Sequence, residues 1–316
     1  MVSIIIPAYN EQENIENTAA VIGGILDKTG ESYELLFVDD GSKDATWEKI
    51  EALTEKNSSV RGLKFSRNFG KEGAIFAGLK NCFGDCAIVI DCDLQHPPEL
   101  IPQMLELHRQ GCEVVEAVKA SRGKESFVYK FFARTFYRIM RDSSSVDLDR
   151  ASDYKLMDRK VINALNELPE RITFFRALSS WVGFRTAKIE FEVAPRNAGK
   201  SKWNFKKLMI FALNNITSFT NLPMQLVTGM GLLFLIFAVG IGIQSLVRFF
   251  SGTAQEGFTT VYMLVLLAGS VIMIGLGIIG YYMSKIYEEI KFRPRYIISI
   301  DTKNRKEQDN THDRNV

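Results

Sequence analysis

The sequence predicts an α/β domain built on a mainly parallel sheet, followed by interfacial helices and a hairpin of two membrane-crossing helices. Three observations predict this. Short apolar runs alternate with segments of helical periodicity over the first 200 residues. Several of those runs end in a cluster of polar residues. Two long stretches near the C-terminus, Leu208–Val247 and Gly257–Ser284, carry no charge.

The predicted strands are Val2–Ile6, Glu34–Val38, Val60–Phe65, Ala87–Ile90 and Val114–Val118. The predicted helices run about Glu11–Asp27, Asp44–Asn57, Lys71–Cys82 and Pro97–Gln110. Pro97-Pro98-Glu99 suits a helix start, because a missing N–H costs nothing there and an acid complements the dipole. The stretch Leu226–Val247 would run about 33 Å as a helix, enough for a bilayer core. Basic residues flank both spans, Lys200, Lys202, Lys206 and Lys207 before and Lys285, Lys291, Arg293 and Arg295 after. Such flanks mark the cytoplasmic side, so both long segments and both termini are expected in the cytosol of a two-span membrane protein. The expected organisation is a cytosolic α/β domain over 1–200, an interfacial segment over 201–221, spans at about 225–248 and 258–284, and a polar tail over 286–316. Val2–Ile6 is stopped by Pro7 and no basic region precedes it, so it does not read as a signal peptide.

Composition narrows the function. The chain has 46% hydrophobic residues and 39 Lys+Arg against 37 Asp+Glu, which argues against disorder and against a duplex nucleic-acid binder. The four cysteines form no CxxC pair and the three histidines lie far apart, so no zinc site is expected and a reduced setting is. Gly275–Gly280 spells GxGxxG, but inside a predicted span. Its glycines are read as helix-packing residues, not as a dinucleotide loop. Ala238 and Gly242 would likewise permit spans to associate, and with them a homo-oligomer.

In parallel α/β sheets ligands bind beyond the carboxyl ends of the strands. That rule selects Pro7–Glu11, Asp39–Asp44 and Asp91–Gln95. If the last segment is extended, Asp91, Asp93 and Gln95 share a face and can present oxygens to Mg²⁺ or Mn²⁺. The other reading is an Asp-rich capping turn. Cys92 between them reads as a packing residue, and His96 as either a substrate contact or a surface residue.

Three segments together carry a resemblance: Ile4-Ile5-Ile6-Pro7-Ala8-Tyr9-Asn10-Glu11, Val38-Asp39-Asp40-Gly41-Ser42 and Asp91-Cys92-Asp93-Leu94-Gln95-His96-Pro97-Pro98-Glu99. The chain resembles family 2 glycosyltransferases of GT-A fold over about residues 2–290. More narrowly it resembles the polyprenyl-phosphate glycosyltransferases, the group of dolichol-phosphate mannose synthase and the bactoprenol glucosyltransferases. The resemblance implies inverting transfer of one sugar from a nucleotide-sugar donor to a polyprenyl phosphate such as undecaprenyl phosphate. It implies that Pro7, Tyr9, Glu11 and Asp40 hold the nucleoside. Asp91, Asp93 and Gln95 would carry the metal that bridges the diphosphate. Asp153 stands where the family places its proposed base; an acceptor phosphate with second pKa near 6 needs little such help, so orienting the acceptor or the sugar is the other role open to it. The loop Arg196–Trp203, with Arg196 and Lys202, resembles one that closes over the donor diphosphate.

The acceptor side rests on basic residues. Arg122 follows a predicted strand, and Lys130, Arg134, Arg138 and Arg141 line one face of an amphipathic segment, Phe127–Arg141, of the kind that lies on a membrane. Lys202–Phe219 reads similarly. Arg122 and Arg134, or Arg138 in its place, are the phosphate candidates, because a guanidinium matches phosphate oxygens in pairs. Other readings are a family 2 transferase with another glycan or lipid acceptor, and a non-catalytic nucleotide-sugar sensor. No Gln-x-x-Arg-Trp motif of processive relatives occurs. UDP-glucose is the donor common among two-span bacterial relatives; UDP-N-acetylhexosamine and GDP-mannose stay open.

Overall fold

The computed structural model describes residues 1–119, 152–169, 174–192, 222–251 and 258–303. The chain forms two compact units, 1–203 with 293–316, and 204–292.

The first unit is an α/β layer. Among the described residues its strands are β1 (Val2–Ala8), β2 (Tyr33–Asp39), β3 (Val60–Phe65), β4 (Cys86–Val89), β5 (Val114–Lys119), β6 (Lys155–Asp158), β7 (Thr186–Phe191) and β8 (Ile298–Asp301). They form one sheet in the order β7-β5-β6-β4-β1-β2-β3-β8. The central strands β3, β2, β1 and β4 run parallel. Ile4, Ile5 and Ile6 of β1 are all fully buried, as a parallel strand covered on both faces requires. Helices α1 (Ile15–Leu26), α2 (Thr46–Lys56) and α4 (Ile101–Arg109) bury Ile22, Trp47, Ile50 and Met104 in one cluster with Ile4, Ile6 and Phe37. Helix α3 (Lys71–Asn81) covers β1 and β2 on the other face, with α5 (Arg159–Glu167) beside it. Gly78 of α3 sits so close to β1 that an added Cβ would lie 2.2 Å from Ile5 Cγ2.

The structure departs from the sequence expectations in four places. β6 enters between β4 and β5 antiparallel to both, and β7 extends that edge parallel to β5. The segment after β4 is a turn, with Leu94 at φ +53°, so residues 91–95 do not alternate as in a strand. The Pro97-Pro98-Glu99 start gives a 3₁₀ turn, Pro98–Leu100, before α4 begins at Ile101. The expected polar tail contains β8, which pairs antiparallel with β3. Arg61 of β3 donates to both carboxylate oxygens of Asp301 at 3.2 and 2.8 Å, and Gly62 N donates to Thr302 Oγ1 at 3.0 Å. Tyr296 stacks on Phe65 with ring centroids 5.2 Å apart.

An ion pair is buried in the sheet: Lys155 Nζ lies 3.1 Å from Glu116 Oε1, and it donates to Ser179 Oγ at 2.8 Å. Ser179 belongs to α6 (Phe175–Trp181), so this lysine fastens α6 to the sheet.

The second unit contains α7 (Leu222–Phe250) and α8 (Phe258–Ile290). The two helices touch, and a Cβ at Gly275 would meet Val227 at 3.3 Å. The GxGxxG run lies inside α8; of its three glycines Gly275 faces Val227, whereas a Cβ at Gly277 or Gly280 would meet nothing within 4 Å. Many apolar side chains, Leu233 and Ile272 among them, point outward. Among the described residues one stretch, Leu267–Tyr287, is long and apolar enough to cross a membrane.

Candidate active site

A cavity of about 300 Å³ opens at the carboxyl ends of β1, β2 and β4. It is lined by Pro7, Tyr9 and Glu11 after β1, Asp40 after β2, and Asp91, Cys92 and Asp93 after β4. The loop from β3 to α3 adds Asn68, Gly70 and Lys71. Each group comes from the point where a parallel strand ends and the chain turns back, the place such sheets leave open.

Asp39 and Asp40 divide the work of shaping the rim. Asp39 is fully buried, and its Oδ1 accepts from Ser42 N at 3.0 Å. Its Oδ2 has no hydrogen-bond partner among the described residues, and burial raises its pKa. The carboxylate of Asp40 accepts from Phe69 N at 2.6 Å, Gly70 N at 2.9 Å and Asn68 Nδ2 at 2.9 Å. Burial raises its pKa too, against these N–H donors. Asp40 therefore lines the cavity chiefly by fixing the loop 68–70, and less as a free acceptor for a nucleoside. Glu11 is held by Asn14 Nδ2 at 2.6 Å, and its own N–H donates to Thr46 Oγ1 at 2.9 Å. Tyr9 stands exposed at the rim.

Asp91 and Asp93 both face the cavity although the segment turns. Asp93 Oδ1 accepts from Gln95 N at 3.1 Å, while Gln95 is not among the lining residues. Cys92 is buried beneath them, its carbonyl accepting from Thr18 Oγ1 at 2.7 Å and its thiol pushed up to about 12 by burial. It packs, as expected. His96 is neither a surface residue nor a cavity-lining one: it is buried between Tyr154 and Phe191, its Nδ1 3.7 Å from Asp91 Oδ2. His108 pairs with Asp158 at 2.9 Å, away from the cavity lining.

A chain of charges runs from the cavity into the domain. Lys71 Nζ lies 2.5 Å from Asp91 Oδ1 and 2.8 Å from Asp153 Oδ2. Arg176 Nε lies 2.7 Å from Asp153 Oδ1, and its Nη2 donates to Oδ2 at 3.0 Å. Asp153 is buried, which alone would raise its pKa, but Lys71 and Arg176 hold the carboxyl well below the usual range. Burial would lower the Lys71 pKa; Asp153 and Asp91 raise it instead. A carboxylate with both oxygens on cations and a depressed pKa is a poor proton acceptor at neutral pH. The geometry favours orientation over base catalysis for Asp153. Beside it, Glu72 accepts from Phe175 N at 2.8 Å, and burial and Asp153 push its pKa up to about 7.

Glycosyl transferase family 2 is the family whose model matches this chain, over residues 3–165. The chain belongs to glycosyltransferase family 2. Its α/β unit is the GT-A-like fold, with a mostly parallel mixed sheet. An uncharacterized glycosyltransferase of Synechocystis is 38% identical over 94% of both chains. A prophage-derived bactoprenol glucosyl transferase of Shigella flexneri is 36% identical over 94% of this chain and 97% of that one. A prophage bactoprenol glucosyl transferase homolog of Escherichia coli is 36% identical over 94% and 98%. Among solved structures, glucosyl-3-phosphoglycerate synthase of Mycobacterium tuberculosis with Mn²⁺ and UDP-glucose is similar at TM-score 0.47 and 21% identity, over 68% of this chain and 76% of that one.

The lining of this glycosyltransferase fits a hard divalent cation. Asp91 and Asp93 offer carboxylate oxygens, and the Cys92 thiol beneath them stays protonated. Among the described residues no cluster of three or more His, Cys, Asp or Glu forms an all-protein cage. Mg²⁺ is commonly held by one or two carboxylates together with substrate phosphates, so two carboxylates suit a cation that arrives with a diphosphate.

Of the sequence candidates, Pro7, Tyr9, Glu11, Asp40, Asp91 and Asp93 meet at one cavity, and Asp153 joins it through Lys71. Arg122, Arg134, Arg138, Arg196 and Lys202, with the two amphipathic segments, lie outside the described residues. Sequence reasoning missed Asn68, Gly70, Lys71 and Arg176. Asn68 and Gly70 lie in the loop that follows β3 and Lys71 opens α3, so the strand-end rule that found the other groups covers them as well. Arg176 had no such signal, because only the fold brings α6 beside Asp153.

Proposed function

We propose that the protein moves a single hexose, glucose from UDP-glucose, to a polyprenyl phosphate such as undecaprenyl phosphate at the cytosolic face of a membrane. The observation that carries the acceptor is the 36% identity to bactoprenol glucosyl transferases over 94% of the chain. That match runs through the apolar helices as well as the α/β unit. In this reading α7 and α8 are both spans, about 44 and 50 Å long at helical rise, and the basic residues Lys285 and Lys291 stay on the cytosolic side.

The donor diphosphate enters the cavity over Asp91 and Asp93, which would hold Mg²⁺ or Mn²⁺ with it. The ion supplies positive charge to the departing nucleoside diphosphate, without proton transfer. Tyr9 and Glu11 face the nucleoside, and Asp40 keeps the loop 68–70 in place beneath it. The acceptor phosphate is already largely ionised near neutral pH, so attack requires orientation more than a base. Arg122, Arg134 or Arg138 would bind that phosphate, and Arg196 and Lys202 would close over the donor.

The test uses the full chain in vesicles with undecaprenyl phosphate and Mn²⁺. Radiolabelled UDP-glucose, UDP-N-acetylglucosamine and GDP-mannose are supplied in turn. Label should enter the organic phase from UDP-glucose alone. Label from another donor would overturn the sugar, and label from none, with UDP still bound, would overturn the acceptor.

A further inference from the structure

Lys71 is the first residue of α3, and its ammonium touches two carboxylates with different duties. Asp91 lines the cavity beside Asp93. Asp153 is buried and already carries a bidentate contact from Arg176. The lysine is therefore anchored from behind by Asp153 and shared in front with Asp91. An ammonium has three donors, and these contacts engage two. The anchor is itself fixed: Arg176 rises from α6, and α6 is fastened to the sheet through Ser179 and Lys155.

The geometry points to Lys71 as a transferable counter-ion that neutralises Asp91 before the donor arrives and binds the donor's phosphate oxygens once a divalent cation has taken Asp91. A cation and Lys71 compete for one carboxylate. Two positive charges within a few ångströms repel unless anionic oxygens separate them. The diphosphate supplies those oxygens. Binding of metal and nucleotide is thus coupled through Lys71: the ion alone must displace the lysine, whereas the ion with its diphosphate gives the lysine a new partner. Asp153 and Arg176 act as positioning residues that keep Lys71 at this point. The inference rests on the donor reading above.

The test measures binding, not turnover, on the full chain in detergent. Free Mn²⁺ is followed by its paramagnetic resonance signal, first alone and then with UDP; UDP binding in Mn²⁺ is followed by calorimetry. Lys71→Met should bind Mn²⁺ alone about threefold tighter or more, because its competitor is gone. It should bind UDP in the presence of Mn²⁺ about tenfold weaker, because a charge-assisted contact is lost. Lys71→Gln should behave like Lys71→Met, which guards against a folding defect in one variant. Lys71→Arg keeps the charge and should stay near wild type in both. Opposite changes in the two affinities are a signature that a merely structural lysine would not give. Unchanged or weaker Mn²⁺ binding by folded Lys71→Met and Lys71→Gln overturns the inference. Unchanged UDP binding by them does so too. If the wild-type chain takes up neither Mn²⁺ nor UDP, the donor reading falls and this inference with it.

Discussion

Replacing Gly41 by alanine should damage both stability and donor binding. Gly41 follows Asp40 at φ +65°, in the left-handed region where a β-carbon costs about 1–2 kcal/mol. Its surroundings add a second cost. A Cβ there would lie 2.4 Å from the Arg67 carbonyl carbon and 2.7 Å from Asn68 N. Both are backbone atoms, so no rotamer change relieves the contact. Ordinary contact begins at 3.4 Å, so the strand-end loop must retreat by about 1 Å. Overpacking of this kind costs a further ~1–3 kcal/mol, and the sum is about 2–5 kcal/mol. The loop that moves carries Asn68, Gly70 and Lys71 into the cavity. A misplacement of about 1 Å in groups that position a substrate can cost about a hundredfold in rate. The assays are urea unfolding and calorimetric UDP binding in Mn²⁺. Gly24→Ala is the control, since nothing lies within 4 Å of its Cβ in α1, and that change should stabilise by about 0.5–1 kcal/mol. Wild-type stability and wild-type UDP affinity in Gly41→Ala would refute the reasoning.

Asp301→Ala should destabilise the first unit by about 3–5 kcal/mol, because Arg61 is left as a buried charge without its carboxylate; unfolding without a shift in midpoint would count against the role of β8. Glu72 has a folded pKa of about 7, above its ordinary 4.5, so its contribution to stability is complete below 4.5 and lost as pH rises through 7. The pH dependence of wild-type stability should flatten across that window in Glu72→Gln, and parallel curves would speak against burial at this site. Asp153 works with the opposite sign: its depressed pKa stabilises above the ordinary carboxylate range and that contribution disappears on acidification. Asp93→Ala should abolish transfer with little change in thermal midpoint, since Asp93 caps a single backbone N–H, Gln95 N; retained transfer would remove it from the metal site. Deletion of all residues after 221 removes β8 along with the apolar helices, so loss of fold as well as lipid access is expected, read by activity on long-chain against water-soluble acceptors.

The sequence by itself determined the parallel core and most of the residues that line the cavity. Four apolar runs separated by helical periodicity leave few arrangements other than a parallel α/β sheet, and the strand-end rule then converts sequence position into spatial position. That is why Tyr9, Asp40, Asp91 and Asp93 were legible together although they are far apart in the chain. Local signals also sufficed for the helical state of α7 and α8, which coincide with the two long uncharged runs. What the tertiary structure decided was every feature that depends on which groups meet. β6 and β8 are four residues each and pair antiparallel with strands that lie distant in sequence, so no local periodicity announces them. Of the two readings open for 91–95, extended segment or capping turn, the structure chose the turn, with Leu94 in a left-handed conformation and Asp93 capping Gln95 N. The same holds for chemistry. Asp40 reads as a ligand-binding acid until its oxygens are seen to hold Phe69 and Gly70, and Asp153 stands between base and orienting residue until Lys71 and Arg176 are seen on both its oxygens. A residue's type fixes what it can exchange with a partner; only the fold fixes which partner is there, and the charge a carboxylate carries follows from that neighbour.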